Sequence, residues 1–231
     1  MGISYDPTAD AGDDLSALPT GYTGAERATL VRRTYALVFL SVLVTIGGVG
    51  LGLGNAVVGA WVWDNFFVFF GITLAVLWVT SRAATQFPLN IALLCLFTFL
   101  EGVLISPAIR IYGGGDPAVV ARAAGLTALT FIGLTFYAMV SRRDFSAWGA
   151  FLFTGLWVLL GTYLVSWYFS IPLPDLYLTI IGLVIFSGLL VYDTWRLRNE
   201  YGPDDYVHAA INIYLDLVGI FLRILRLLRR D

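Results

Sequence analysis

Two acids near the end of the chain carry the chemistry that this sequence offers. Asp193 and Asp216 each stand alone inside an apolar run, within GLLVYDTWRLRNEYGPDDYVHAAINIYLDLVGIFLRILRLLRR, residues 188–230. A carboxylate at membrane depth is costly, so each is a functional-site hypothesis by default. The two runs meet at the polar stretch EYGPDD and read as antiparallel helices. At the helical rise, Asp193 lies about 8 Å before the cytoplasmic end of its helix, and Asp216 about 15 Å into the next. A modest tilt brings them to one level. Two carboxylates at hydrogen-bonding distance cannot both ionise cheaply, so such a pair shares one proton and titrates as a unit. The alternative is two separate acids, each held by an Arg or a helix end.

Other polar residues group around this pair. Arg82 ends an earlier apolar run on the same side and is expected to pair with either acid, the alternative being a positive-inside anchor. Asn212 precedes Asp216 by four residues and Tyr192 adjoins Asp193, so both can complete a polar seam. Glu101, in LFTFLEGVLISP, sits deep in another run and must face the bundle interior or a wet cavity. The pore-lining candidates are therefore Glu101, Asn212 and Tyr192. Asp193 and Asp216 are oxygen ligands suited to calcium, but two or three acids make a weak site rather than a cage. His208, the single histidine, starts a helix and reads as solvated or capping. Cys95, the single cysteine, reads as packing. No haem, nucleotide or zinc motif occurs, and no resident cofactor is expected.

The elements that must position these residues are membrane helices. The chain has 231 residues, 58% hydrophobic and 13% charged, with mean hydropathy +0.80. Repeated apolar runs near 20 residues, without alternation, predict an all-α polytopic membrane protein rather than a barrel. Seven spans are expected, at about 30–53, 61–80, 88–112, 117–140, 145–169, 175–198 and 206–228. The last is expected in the middle of the bundle, because lipid would not tolerate Asn212 and Asp216. Trp61 and Trp63 suit an interface, and Asp116 with Pro117 suits a helix start. Residues 1–24 are acidic and lack apolar periodicity, which predicts a disordered tail before a transmembrane domain over 25–231.

Every basic residue is Arg, and the net charge is -2, which gives no reason to expect nucleic acid. Arg27, Arg32, Arg33, Arg82, Arg142, Arg143, Arg196 and Arg198 fall on one side if the N-terminus is cytoplasmic. A cell-membrane location follows as the expectation. Arg223, Arg226, Arg229 and Arg230 resist this pattern, since seven spans place them outside. Either they reach outer headgroups or the last helix does not cross.

Three stretches together carry a family resemblance: EGVLISP, VYDTWRL and INIYLDLVGIFLRILRLL. They resemble the Bax inhibitor family of membrane proteins, over the whole seven-span layout but not the acidic tail. The resemblance implies a last helix enclosed by the other six. It implies a pH-sensitive calcium leak in which the family's two pore aspartates fall on Asp193 and Asp216. By topology, the family's helix 2 arginine falls on Arg82. Trp195 stands where the family often has Gln.

The leading functional expectation is a passive calcium leak, with calcium and the lipid bilayer as partners, gated at its cytoplasmic end by the aspartate pair. Its protein partners are open and a monomer suffices. A regulator that works by binding other membrane proteins is the alternative. An intramembrane aspartyl protease also uses two aspartates. However, Asp216 sits in YLDL rather than GxGD and no PAL follows, so no enzyme is expected.

Overall fold

A computed structural model describes residues 23–171 and 175–229. Most of the acidic tail, residues 1–22, lies outside the described residues, as do Pro172 to Pro174, Arg230 and Asp231. Among the described residues the chain is all helical, with eight helices and no strand. They are α1 (Gly24–Gly54), α2 (Ala56–Asp64), α3 (Phe66–Arg82), α4 (Leu89–Gly113), α5 (Pro117–Val140), α6 (Trp148–Phe169), α7 (Asp175–Asn199) and α8 (Tyr206–Leu228). Five of them, α1, α4, α5, α6 and α7, are long and apolar enough to cross a bilayer. Large apolar side chains such as Phe39, Trp157, Leu129 and Val184 are exposed on them. Water would not tolerate that surface, and lipid would. The protein is a multi-pass membrane protein.

Local sequence explains where the helices begin and break. Thr23 and Glu26 form a capping box, so α1 begins earlier than its apolar run and takes in Arg27, Arg32 and Arg33. Asp116 accepts from the Ala118 N–H, and Pro117 occupies the first helical position of α5. The expected second span, 61–80, is corrected. It is two helices, α2 and α3, bent by 92°. Asn55 caps α2 by accepting from the Val57 and Val58 N–H groups. Asn65 closes α2 by donating to the Trp61 carbonyl. An amide side chain that satisfies helix-end groups makes a corner tolerable inside an apolar run. Trp61, Trp63, Phe66 and Phe67 are exposed around this corner.

Contacts at the two ends define the direction of each helix. At one end Arg27, near the start of α1, donates to the Leu197 and Tyr201 carbonyls. There Arg198 also donates to the Met139 carbonyl at the end of α5. Asn90, at the start of α4, donates to the Tyr206 hydroxyl at the start of α8. At the other end Arg110 of α4 reaches the Leu53 carbonyl of α1. There Arg226 of α8 meets Asp175, the first residue of α7. Thus α8 runs the length of the bundle. It packs against α1, α4, α5 and α7. Ala210, Ile213, Tyr214, Ile220 and Leu225 are fully enclosed along it.

Candidate functional site

The site is built where α7 passes α8. Asp175 in the first turn of α7 and Arg196 and Arg198 in its last turn complement the helix dipole. The Glu200 and Tyr201 N–H groups donate back to the Arg196 carbonyl and end the helix. Gly202 to Asp205 then form a turn, with the Gly202 N–H held by the Asp205 carboxylate at 2.9 Å. This tight hairpin sets α8 against α7. Their carboxyl groups meet: Asp193 and Asp216 are hydrogen-bond partners. They are 8% and 4% exposed, so the pair is inside the protein rather than on its lipid face. Asp216 Oδ2 is buried without any further partner among the described residues.

Among the described residues, Arg196 is the cation in contact with the pair, through Asp193. The Arg196 guanidinium lies 3.3 Å from Asp193 Oδ1 and 2.9 Å from Glu200 Oε2. It is also over the rings of Tyr201 at 4.8 Å and Tyr192 at 5.6 Å. Two acids and two rings hold it in place. Arg82, the expected partner, is not brought to the pair. It is exposed at the end of α3, with its guanidinium 4.7 Å from the Trp78 ring centre. The i, i+3 spacing of Asp193 and Arg196 was the available signal, since such residues share a helix face.

The remaining polar residues divide into two groups. Asn212 joins the site, donating to the Tyr201 hydroxyl at 2.8 Å. Tyr201, in the loop after α7, is 8% exposed, and burial pushes its phenol up to about 12. Tyr192 lines the same cleft as the pair and stacks on Trp195. Trp195 itself packs with Ala138, Phe145 and Val191, so this position fills space where a Gln would offer a polar group. Glu101 does not join. It lies on α4 near Tyr214, whose hydroxyl is 2.7 Å from Thr45 Oγ1. Thr45 Oγ1 also lies within reach of the Ser41 and Thr98 carbonyls, so this second polar knot ties α1, α4 and α8 together. His208 is half-buried in the first turn of α8, and Cys95 is half-buried on α4.

The hydroxyls of Tyr35, Thr135 and Thr194 are buried together as hydrogen-bond partners, while those of Thr34 and Ser41 are buried without one among the described residues. They lie on α1, α5 and α7, whose sequences mask them as ordinary mid-helix Ser, Thr and Tyr. No three metal-ligating side chains converge among the described residues. The arrangement can hold a proton between two carboxyls, and its acids are too few to cage a cation.

Comparison with known proteins places this geometry in a family. The family model described as "Inhibitor of apoptosis-promoting Bax1" matches residues 27–231. The chain is 32% identical over 205 residues to mouse "Protein lifeguard 4", covering 87% of this chain and 85% of that one. It is 30% identical over 207 residues to "Bax inhibitor 1" of Schizosaccharomyces pombe, covering 87% and 76%. A vaccinia virus "Golgi anti-apoptotic protein" is 40% identical over 141 residues, covering 61% of this chain and 58% of the viral one. Both acids and the buried last helix lie inside the matched region, and the chain belongs to the Bax inhibitor family.

Proposed function

We propose that the chain is a pH-sensitive calcium leak of the cell membrane, with a cytoplasmic N-terminus and seven spans. In this reading α2 and α3 together make the second span and α8 the seventh. At 23 residues, α8 is about 35 Å long, enough for a bilayer core. One observation carries the reading: the two buried acids of α7 and α8 are hydrogen-bonded to each other near the arginine-rich end. A shared proton joins α7 to α8 and holds that end shut. Loss of the proton leaves two like charges in contact. Their repulsion drives the helices apart and lines the gap with carboxylates. Arg196 holds Asp193 as the charges separate, so Asp216 is the group whose release opens the path.

Flux therefore rises with pH. Calcium entry into liposomes holding the purified chain is measured from about pH 5 to about pH 8, across the range that a buried carboxyl pair reaches. Asp216→Asn keeps an amide that donates to Asp193, and it gives low, pH-independent flux. Asp193→Ala leaves no bridge and gives higher flux at low pH than the unaltered chain. Three identical pH profiles would sink the mechanism.

The names of the viral and yeast relatives favour a second reading, a regulator that acts through other membrane proteins. It predicts no flux from the purified chain alone at any pH.

A further inference from the structure

The pair is not sealed behind protein. A cleft of about 470 Å³ lies between α6, α7 and α8, and both Asp193 and Asp216 line it. Its other walls are apolar: Leu156 of α6, Phe186 and Leu189 of α7, and Leu215 of α8. Gly149 and Ala150, in the first turn of α6, edge the cleft and place it toward the arginine-rich end. Volume and lining are those of a small-molecule site, a mostly apolar cavity with a few convergent polar groups.

Charge decides what such a site takes. Arg196 lines the cleft, but its guanidinium is already shared by Asp193 and Glu200. The charged groups near the pair are Arg196, which lines the cleft, and Glu200, which shares its guanidinium from outside the cleft wall. Asn212 of α8 and Tyr192 of α7 are neutral, and the lining residues of α6 carry no charge. With the pair's proton gone, two carboxylates and one guanidinium leave the lining one net negative charge. Asp216 Oδ2 accepts from no donor among the described residues. A bound calcium ion needs six to eight oxygen ligands, which these walls lack. An organic cation fits both parts: its apolar body meets the leucines and Phe186, and its ammonium donates to the paired carboxylates.

We propose that this cleft binds a lipophilic primary amine, with the ammonium on the Asp193–Asp216 pair and the hydrocarbon body against Leu156, Phe186, Leu189 and Leu215. The proposal rests on the leak reading only in taking the pair to lose its shared proton. Occupancy would keep α7 and α8 bridged by a cation in place of a proton, and so block flux at pH values where the gate otherwise opens.

Three isosteres test it: adamantylamine, adamantanol and adamantane carboxylate, by equilibrium dialysis against the full chain in lipid nanodiscs, with empty nanodiscs as the blank. The amine binds saturably, one per chain and about tenfold or more tighter than the alcohol, as expected for a charge-assisted hydrogen bond. The carboxylate does not bind above the blank. Leu156→Trp fills the cleft from α6 without touching either acid, and it weakens amine binding about tenfold or more while melting as the unaltered chain does. Asp216→Asn removes the preference for amine over alcohol. Equal binding of alcohol and amine would overturn the proposal, as would a well-folded Leu156→Trp chain that binds the amine unchanged. Flux on the same preparations separates this site from the leak reading. Amine binding without flux at any pH leaves the site and removes the leak. A pH-dependent flux without amine binding does the reverse.

Discussion

At the scale of residues, the site shows how a few side chains divide one task. Asp193 has a cation and Asp216 has none, although both are buried in the same pair. That difference comes from helix phase. Arg196 is one turn along α7 from Asp193, while the nearest arginine of α8, Arg223, is two turns beyond Asp216 and lies over the Phe186 ring, 4.3 Å from its centre. Tyr201 closes the hairpin by accepting from Asn212, and its phenol is held neutral by burial, with the nearby Asp193 charge adding to the effect. A phenol raised from about 10 contributes stability that is complete below about pH 10. That contribution is lost as pH climbs toward the folded value near 12. The phenolate absorbance difference between the unaltered chain and Tyr201→Phe should therefore appear near pH 12. A difference centred near pH 10, the free value, would show that the loop is open to water.

At the scale of elements, the closest packing is between α1 and α4. A Cβ placed on Gly48 would collide with the Phe99 carbonyl, and one on Gly102 with the Thr45 carbonyl. Those atoms are backbone and cannot turn aside. Gly52 continues the same face of α1 and meets Ser106. Small residues four apart let membrane helices approach closely, and the GGVGLGLG run contains that spacing. Gly47 and Gly50, in the same run, have open space around the missing side chain. Gly48→Ala and Gly102→Ala should each destabilise by about 1–3 kcal/mol. Gly47→Ala and Gly50→Ala should be neutral, or stabilising by up to about 1 kcal/mol. Thermal unfolding of the four variants in one detergent checks this. Equal melting temperatures would show that the α1–α4 contact tolerates an added methyl.

At the scale of the whole molecule, the arginines at the end of α8 bear on topology. Arg226 is 2.7 Å from Asp175 and lies over the Tyr112 ring at 5.1 Å. Arg229 also lies over Tyr112, at 5.8 Å. These groups come from the end of α4 and the start of α7, so the last helix finishes opposite to where it starts. The C-terminal arginines sit against protein acids and rings, which offsets their disagreement with the distribution of positive charge elsewhere. A reporter in the loop at Gly114 and another fused at the C-terminus should both appear outside, and one near Arg142 inside. A cytoplasmic C-terminus with an external Gly114 would mean that α8 does not cross the membrane.

The sequence by itself determined the class, most helix limits and the two acids. Apolar runs near bilayer length, Asp116 before Pro117, and lone carboxylates in greasy segments are local signals that need no neighbour to be read. It also determined the family, through motifs in three helices. Tertiary structure decided what each polar group meets. Asn65 turned an apparently continuous apolar span into a corner, because its amide satisfies a carbonyl that lipid would leave bare. Arg196 rather than Arg82 reached Asp193, because a shared helix face fixes proximity whereas a shared membrane side does not. Glu101, equally conspicuous in the sequence, lies near Tyr214 rather than in the cleft with the pair. Depth along a helix follows from counting residues, but the direction in which a side chain points across a bundle depends on the rotation of every helix packed around it.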